Sequence, residues 1–273
     1  MSIGFLDAAI LGVVEGLTEF LPVSSTGHLT IAEGLLGLEV DDPAVTAFTV
    51  VIQFGAIVAV LLYFAKDIAG FVRSFVAGVT STRGRQGDDW QLTLAVLVGS
   101  LPIGVVGLLL RDVITGPVLR SLVTVGIALI AWSAVMVYAE RRATQARGEA
   151  AVTVLDGLFI GVMQCCALVP GVSRSGATIS AGLLRGLDRV TATRLSFFLA
   201  IPALTAAGAL ELPKALGEGV GLAPVAVGTL VSFVVAYASI ALLLRFVARH
   251  SIVAFVPYRV ALGAVVLVAL AVT

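Results

Sequence analysis

The sequence predicts an all-α integral membrane protein, a single membrane domain over residues 1–273. It is read as an inverted-topology repeat, each half a re-entrant helical hairpin plus three transmembrane helices. Three observations carry this expectation. The chain is 59% hydrophobic and 12% charged, with a mean hydropathy of +1.09, whereas soluble domains carry roughly 25% charged residues. Apolar runs long enough to cross a bilayer, about 20 residues each, recur along its length. Finally, a constant shift of 149 residues lays the second half over the first: Asp7 falls on Asp156, Gly12 on Gly161, Glu15 on Gln164, Ser24 on Ser173, Gly27 on Gly176 and Phe48 on Phe197.

Taken in order, Ser2 to Leu21 is apolar but interrupted by Asp7, Glu15 and Glu19. Pro22 ends that helix, because proline lacks the N–H and clashes with the preceding turn. The apolar piece Leu29–Leu38 is too short to cross a bilayer, so two short helices around a proline break predict a hairpin that enters and leaves on one side. Glu33 to Asp42 reads as an acidic surface loop. Spans are expected at Ala44–Ala65, Gln91–Leu110 and Val118–Ala139, with the amphipathic stretch Ile68–Val79 lying along the interface. Val154–Val169 and Ala177–Leu187 form the second hairpin, followed by spans at Leu195–Leu210, Leu222–Leu244 and Ile252–Val272. Repeat one covers about 1–139 and repeat two about 153–273.

The chemistry concentrates in two stretches. The first, Glu15 to Leu29, reads EGLTEFLPVSSTGHL. Glu15 and Glu19 are four apart and share one helix face; as buried like charges they repel unless a cation or proton lies between them. Hard carboxylate oxygens suit Mg²⁺ or Ca²⁺. Ser24 reads best as a cap for the next helix, although it also belongs to a cradle of N–H groups and hydroxyls, with Thr26, that would hold an anion at a helix N-terminus. Ser25 is a candidate nucleophile with His28 as proton shuttle; His28 itself as nucleophile stays open beside it. The second stretch, Gln164 to Thr178, reads QCCALVPGVSRSGAT and replaces the acid and histidine with Arg174. Arg174, flanked by Ser173 and Ser175, offers a planar fork that matches phosphate oxygens. Gln53 and the duplicated pair Asp7/Asp156 read as structural polar contacts, and His250 as a surface residue.

The paired motifs EGLTEFLPVSSTGH and PGVSRSGAT resemble the signature of undecaprenyl-diphosphate phosphatases of the bacitracin-resistance family. Two motifs of about a dozen residues each, in order and in an agreeing hydrophobic profile, are far more specific than a lone short pattern. The resemblance implies an integral membrane enzyme that hydrolyses a polyprenyl diphosphate carrier to its monophosphate with a divalent metal. Ser25, His28, Glu19 and Arg174 would be catalytic, Ser24, Thr26, Ser173 and Ser175 would join Arg174 on the phosphate, and Glu15 with Glu19 would hold Mg²⁺ or Ca²⁺. Expected partners are the polyprenyl diphosphate and membrane lipids, and a homodimer is left open.

Bulk properties exclude other classes. A formal net charge of zero gives no case for nucleic acid. Cys165 and Cys166 are adjacent and read as small apolar helix residues rather than a bridge, and no removable signal peptide is expected at the start. If the loops 66–90, 140–152, 185–194 and 245–250 share a side, that side holds 12 of the 17 Lys and Arg residues and should be cytoplasmic. Arg174 and Arg259 then lie near or within spans. This orientation has the first hairpin, and the active site, facing the extracytoplasmic side of the plasma membrane. The rival reading is a secondary transporter or lipid flippase, since inverted repeats with broken helices are common there. Against it, the catalytic residue types gather in one copy and the phosphate anchor in the other.

Overall fold

The computed structural model describes residues 3–40, 42–87, 89–114, 117–217 and 221–272, with side chains described at all of these except 117, 120, 207 and 210–217. Among the described residues every regular element is a helix. The first half holds α1 (Phe5–Thr18), α2 (Ser25–Leu35), α3 (Pro43–Tyr63), α4 (Ala65–Thr80), α5 (Asp89–Leu109), two short turns α6 (Arg111–Ile114) and α7 (Pro117–Arg120), and α8 (Leu122–Arg142). The second holds α9 (Val154–Gln164), α10 (Arg174–Leu184), α11 (Arg189–Gly217), α12 (Leu222–Val247) and α13 (Val256–Val272). Among the described residues, five segments are long and apolar enough to cross a membrane: Pro43–Tyr63, Asp89–Leu109, Leu122–Arg142, Leu222–Val247 and Ile252–Val272. The sixth expected span, Leu195–Leu210, falls within α11, a continuous helix of 29 residues that is not among those five.

Helix boundaries follow local chemistry. Asp42 accepts from Ala44 N–H at 2.7 Å beside Pro43 and so starts α3. Ser121 accepts from Thr124 N–H at 3.2 Å and starts α8. The two duplicated aspartates do the same work in both copies: Asp7 accepts from Gly4 N–H at 3.0 Å and Asp156 from Thr153 N–H at 2.9 Å. One expectation needs correction. Glu33 does not lie on a surface loop; it sits in the last turns of α2 and is buried. The apolar run continues helically to Leu35, and the turn follows at Gly37, whose φ of +73° suits glycine.

The 149-residue correspondence has a backbone counterpart. Ser24 and Ser173, the caps of α2 and α10, both hold a positive φ, +76° and +77°, a conformation uncommon for residues with a side chain. Gly37 and Gly186 end the same two helices at +73° and +78°. The packing is also matched. α1 lies chiefly on α12 and α9 chiefly on α5. The equivalent glycines Gly12 and Gly161 permit both contacts, since a Cβ there would stand 2.5 Å from Gly228 O and 2.0 Å from Gly99 O. A core of Phe20, Phe64, Phe197 and Phe198 packs edge to face where α3 and α11 meet the first helix break.

One end of the bundle is tied by ion pairs. Asp156, fully buried, takes Arg147 Nη2 at 2.5 Å and Arg185 Nε at 2.6 Å. Arg189 pairs with Glu140, and Arg194 with Asp67 and Glu149. These pairs join three of the four basic loops that the charge count groups together. Removing the buried member of such a cluster leaves two partly exposed guanidiniums without their carboxylate, so Asp156→Ala should cost about 2 kcal/mol. The apparent melting temperature of the detergent-solubilised protein should fall by about 4–8 °C. Asp7→Ala, which removes only a cap, should move it much less; equal shifts would contradict the assignment.

Candidate active site

Two helix breaks face each other. In the first, α1 ends at Thr18, the chain turns through Glu19–Val23, and Ser24 precedes α2 at the cap position without a side-chain bond to that helix. In the second, a tight turn over Cys165–Leu168 leads to Ser173, whose Oγ accepts from Gly176 N–H at 3.1 Å and caps α10. The loops are laced reciprocally. Ser24 Oγ accepts from Gly171 N–H at 3.1 Å, and Ser175 Oγ donates to the Leu21 carbonyl at 2.9 Å. Gly171 holds φ of +99°, and a Cβ there would stand 2.5 Å from Val125 O, so glycine is required by conformation and by space.

This lacing brings the acids to the arginine. Glu19, 7% exposed, accepts from Ser25 Oγ at 2.6 Å on one oxygen and from Arg174 Nη2 at 3.3 Å on the other. Arg174 also donates through Nη1 to Ser196 O at 3.0 Å and lies over the Phe20 ring, while its Nε is buried without a hydrogen-bond partner. Glu15, one turn earlier on α1 and 1% exposed, has a buried Oε1 with no hydrogen-bond partner. The basic partner of the acid pair therefore comes from the second helix break, 155 positions along the chain. Ser173 Oγ and Ser175 Oγ lie 3.1 Å apart, and both are committed to the loops.

His28 is placed differently from the nucleophile it was expected to serve. Its Nδ1 lies 2.7 Å from the Ser24 carbonyl and its Nε2 2.5 Å from the Tyr258 hydroxyl, with the two rings stacked. A carbonyl only accepts, so the neutral ring carries its proton on Nδ1 and Nε2 accepts from Tyr258. Ser25 turns its hydroxyl to Glu19 instead.

A cavity of about 200 Å³ opens beside these groups, lined by Glu15, Ser25, Thr26, Thr30, Glu33, Gln53 and the apolar side chains of Leu29, Val125 and Pro170. Thr26 is exposed at its mouth. Glu33 and Gln53 were not expected there. A signal was available for both, since a polar residue inside an apolar helix is a functional candidate by default. Arg259 was likewise given no role, yet it is fully buried and reaches both loops. Among the described residues, no group of three or more His, Cys, Asp or Glu side chains is arranged to hold a metal. Glu15 and Glu19 supply two carboxylates, of which Glu15 has an oxygen to spare.

Fold and site together define a multi-pass helical membrane protein with an acid–hydroxyl–guanidinium centre buried between its helices. A family model described as "Bacitracin resistance protein BacA" matches residues 8–265, and the chain belongs to that family. "Undecaprenyl-diphosphatase 3" of Frankia casuarinae is 57% identical over 265 residues, covering 96% of this chain and 95% of that protein. "Undecaprenyl-diphosphatase" of Acidothermus cellulolyticus is 55% identical over 266 residues, covering 97% and 96%. "Undecaprenyl-diphosphatase 1" of Streptomyces coelicolor is 54% identical over 264 residues, covering 96% and 94%.

Proposed function

We propose that the chain hydrolyses undecaprenyl diphosphate to the monophosphate and inorganic phosphate, recycling the lipid carrier for cell-envelope glycan synthesis. The observation that carries this reading is that Ser25, which lines the cavity, donates its hydroxyl to Glu19 behind it while Arg174 holds the other Glu19 oxygen. The relatives' names agree with it.

In the mechanism proposed, Ser25 Oγ attacks the terminal phosphorus and gives its proton to Glu19. The anhydride bond breaks and undecaprenyl monophosphate leaves with the proton that Glu19 took from Ser25, so the phosphoryl group is held as a phosphoserine and Glu19 is again a carboxylate. Water, deprotonated by that Glu19 carboxylate, attacks the phosphorus; the bond to Ser25 Oγ breaks, Glu19 returns the proton to the serine oxygen, and inorganic phosphate is released. Arg174, with the N–H groups at the start of α2, spreads the negative charge on the transferring phosphoryl, where most catalysis of this kind arises. Thr26 at the cavity mouth offers a further hydroxyl. Ser24, Ser173 and Ser175 serve the phosphate indirectly, by fixing the loops that carry Ser25 and Arg174. His28 acts from the flank, since both of its ring nitrogens are engaged away from Ser25. Mg²⁺ or Ca²⁺ suits the spare Glu15 oxygen; held there against the diphosphate, with Glu19 left as base, it would supply charge neutralisation and orientation. The prenyl tail leaves along the apolar wall of Leu29, Val125 and Pro170.

The architectural part of the proposal is an inverted repeat, with α1–α2 and α9–α10 as re-entrant hairpins from opposite sides of the plasma membrane. The matched φ values and the crossed packing of α1 on α12 and α9 on α5 support it. Irregular backbone at membrane depth is tolerated where it is buried in protein or lines a cavity, as these loops do.

Phosphate release from undecaprenyl diphosphate by the purified protein tests the reading. Ser25→Ala should release none. Arg174→Lys should lose most of the activity, because an ammonium keeps the charge but not the fork. Near-normal rates in either variant would return that residue to a structural role. Rigorous chelation with EDTA should stop turnover and added Mg²⁺ or Ca²⁺ restore it; undiminished turnover would remove the metal from the mechanism.

Orientation has its own test. In a background lacking Cys165 and Cys166, Thr26→Cys should react with an impermeant thiol reagent added outside intact cells. Ala146→Cys, exposed in the loop after α8, should stay unlabelled until the cells are opened. The reverse pattern would place the site on the cytoplasmic side.

A further inference from the structure

We infer that Arg259 is a positioning residue that holds the two loops in register, so that Ser25, Glu19 and Arg174 meet. The inference rests on the phosphatase reading above. Arg259 lies near the start of α13, is 0% exposed, and among the described residues has no carboxylate partner. A guanidinium in such a place is costly unless each of its N–H groups is satisfied. Nη1 donates to Pro22 O at 2.8 Å, on the first loop. Nη2 donates to Gly171 O at 2.9 Å and to Val172 O at 3.1 Å, on the second. Nε reaches Ser133 Oγ at 3.2 Å and Nη2 also faces Leu129 O at 3.4 Å, which anchors the group to α8.

The choice of partners is what assigns the role. Pro22 and Gly171 are related by the same shift of 149 residues that relates the two copies. One guanidinium therefore binds the equivalent backbone carbonyl in each loop. These carbonyls are ones that broken helices leave without an intrahelical donor, and at membrane depth they need a partner from elsewhere. The leverage on the site is short. Pro22 stands midway between Glu19 and Ser25, and Val172 two residues before Arg174. The planar fork matters, because its donors diverge from one rigid group toward two loops. A lysine ammonium at the end of a flexible stem keeps the charge but fixes neither separation nor angle.

The test compares phosphate release by the purified full-length wild type, Arg259→Lys and Arg259→Ala, with turnover normalised to folded protein from gel filtration and thermal melting. Arg259→Lys should fold and melt within a few degrees of wild type. Its kcat should nonetheless fall on the order of 10²-fold, the scale set by misplacing reacting groups by roughly 1 Å, with KM changed far less. Sub-denaturing guanidinium chloride should raise the kcat of Arg259→Ala by at least about tenfold, whereas methylammonium should not, since only the planar cation reproduces the fork. A folded Arg259→Lys that turns over near the wild-type rate overturns the inference. So does an Arg259→Ala that melts normally yet does not respond to guanidinium. If Arg259→Ala is not recovered folded, the lysine variant decides alone. Wild-type protein that releases no phosphate would instead overturn the phosphatase reading, a result separate from any difference among variants.

Discussion

The Ser24 hydroxyl accepting from Gly171 N–H, and the Ser175 hydroxyl donating to the Leu21 carbonyl, form the exchange on which the rest of the site depends. A helix that stops among other apolar helices leaves backbone donors and acceptors with no water to take them. Two such breaks placed face to face satisfy each other, and neither loop could hold its shape alone at comparable cost. The positive φ of Ser24 and Ser173 belongs to the same arrangement. Strain of about 1–3 kcal/mol at each serine is offset by an interloop bond from one and a cap bond from the other. Once the loops are fixed, Glu19 and Arg174, separated by 155 positions in sequence, fall within hydrogen-bond distance.

That meeting was legible in the sequence because its ingredients are chemically conspicuous. Two acids on one helix face, a proline break and an SxxG turn cannot be explained as membrane filling, and their partial echo 149 residues later locates the complement. Five of the six expected spans were legible for the same reason that hydropathy works: backbone satisfaction in lipid demands long apolar helices. What escaped depended on three-dimensional adjacency. Ser25 and His28 are three apart on α2, yet Ser25 faces a carboxylate from the turn after α1 and His28 a phenol from α13. Spacing along one helix says that two residues are near each other, not which third group each will meet. Glu33 was read as surface because acidic residues cluster beyond it, and only the continuation of α2 to Leu35 carries it inward.

The 149-residue correspondence runs through the frame of the site, and the positions where it fails carry the asymmetry between the two loops. The caps, the terminal glycines and the glycine-to-backbone packing of Gly12 and Gly161 are retained in both copies, since they hold the loops and the crossed helices. The reactive groups are not duplicated. Where the first copy has Glu15 the second has Gln164, which is fully buried and uncharged. Where the second has Arg174 the first has Ser25, and the two side chains share the Glu19 carboxylate. Two identical loops would set like against like across the interface, acid on acid or guanidinium on guanidinium, at a cost that burial magnifies. Exchanging one residue type in each copy turns that repulsion into an ion pair.

The ion pair also bears on how a diphosphate could enter. Glu19 is balanced by Arg174, and Arg259 has its N–H groups spread over four carbonyls and a hydroxyl. Neither guanidinium is then free to neutralise the two or more negative charges that a diphosphate brings. Glu15 adds a further acid with an oxygen that makes no hydrogen bond. Arg174 can turn part of its fork from Glu19 toward an incoming phosphate, since its buried Nε is without a partner, but that exchange exposes the Glu19 charge it leaves behind. The balance closes most simply if positive charge arrives with the substrate and is received by Glu15. A hard divalent cation carried on the diphosphate would do this, and it would leave Glu19 free to take the Ser25 proton.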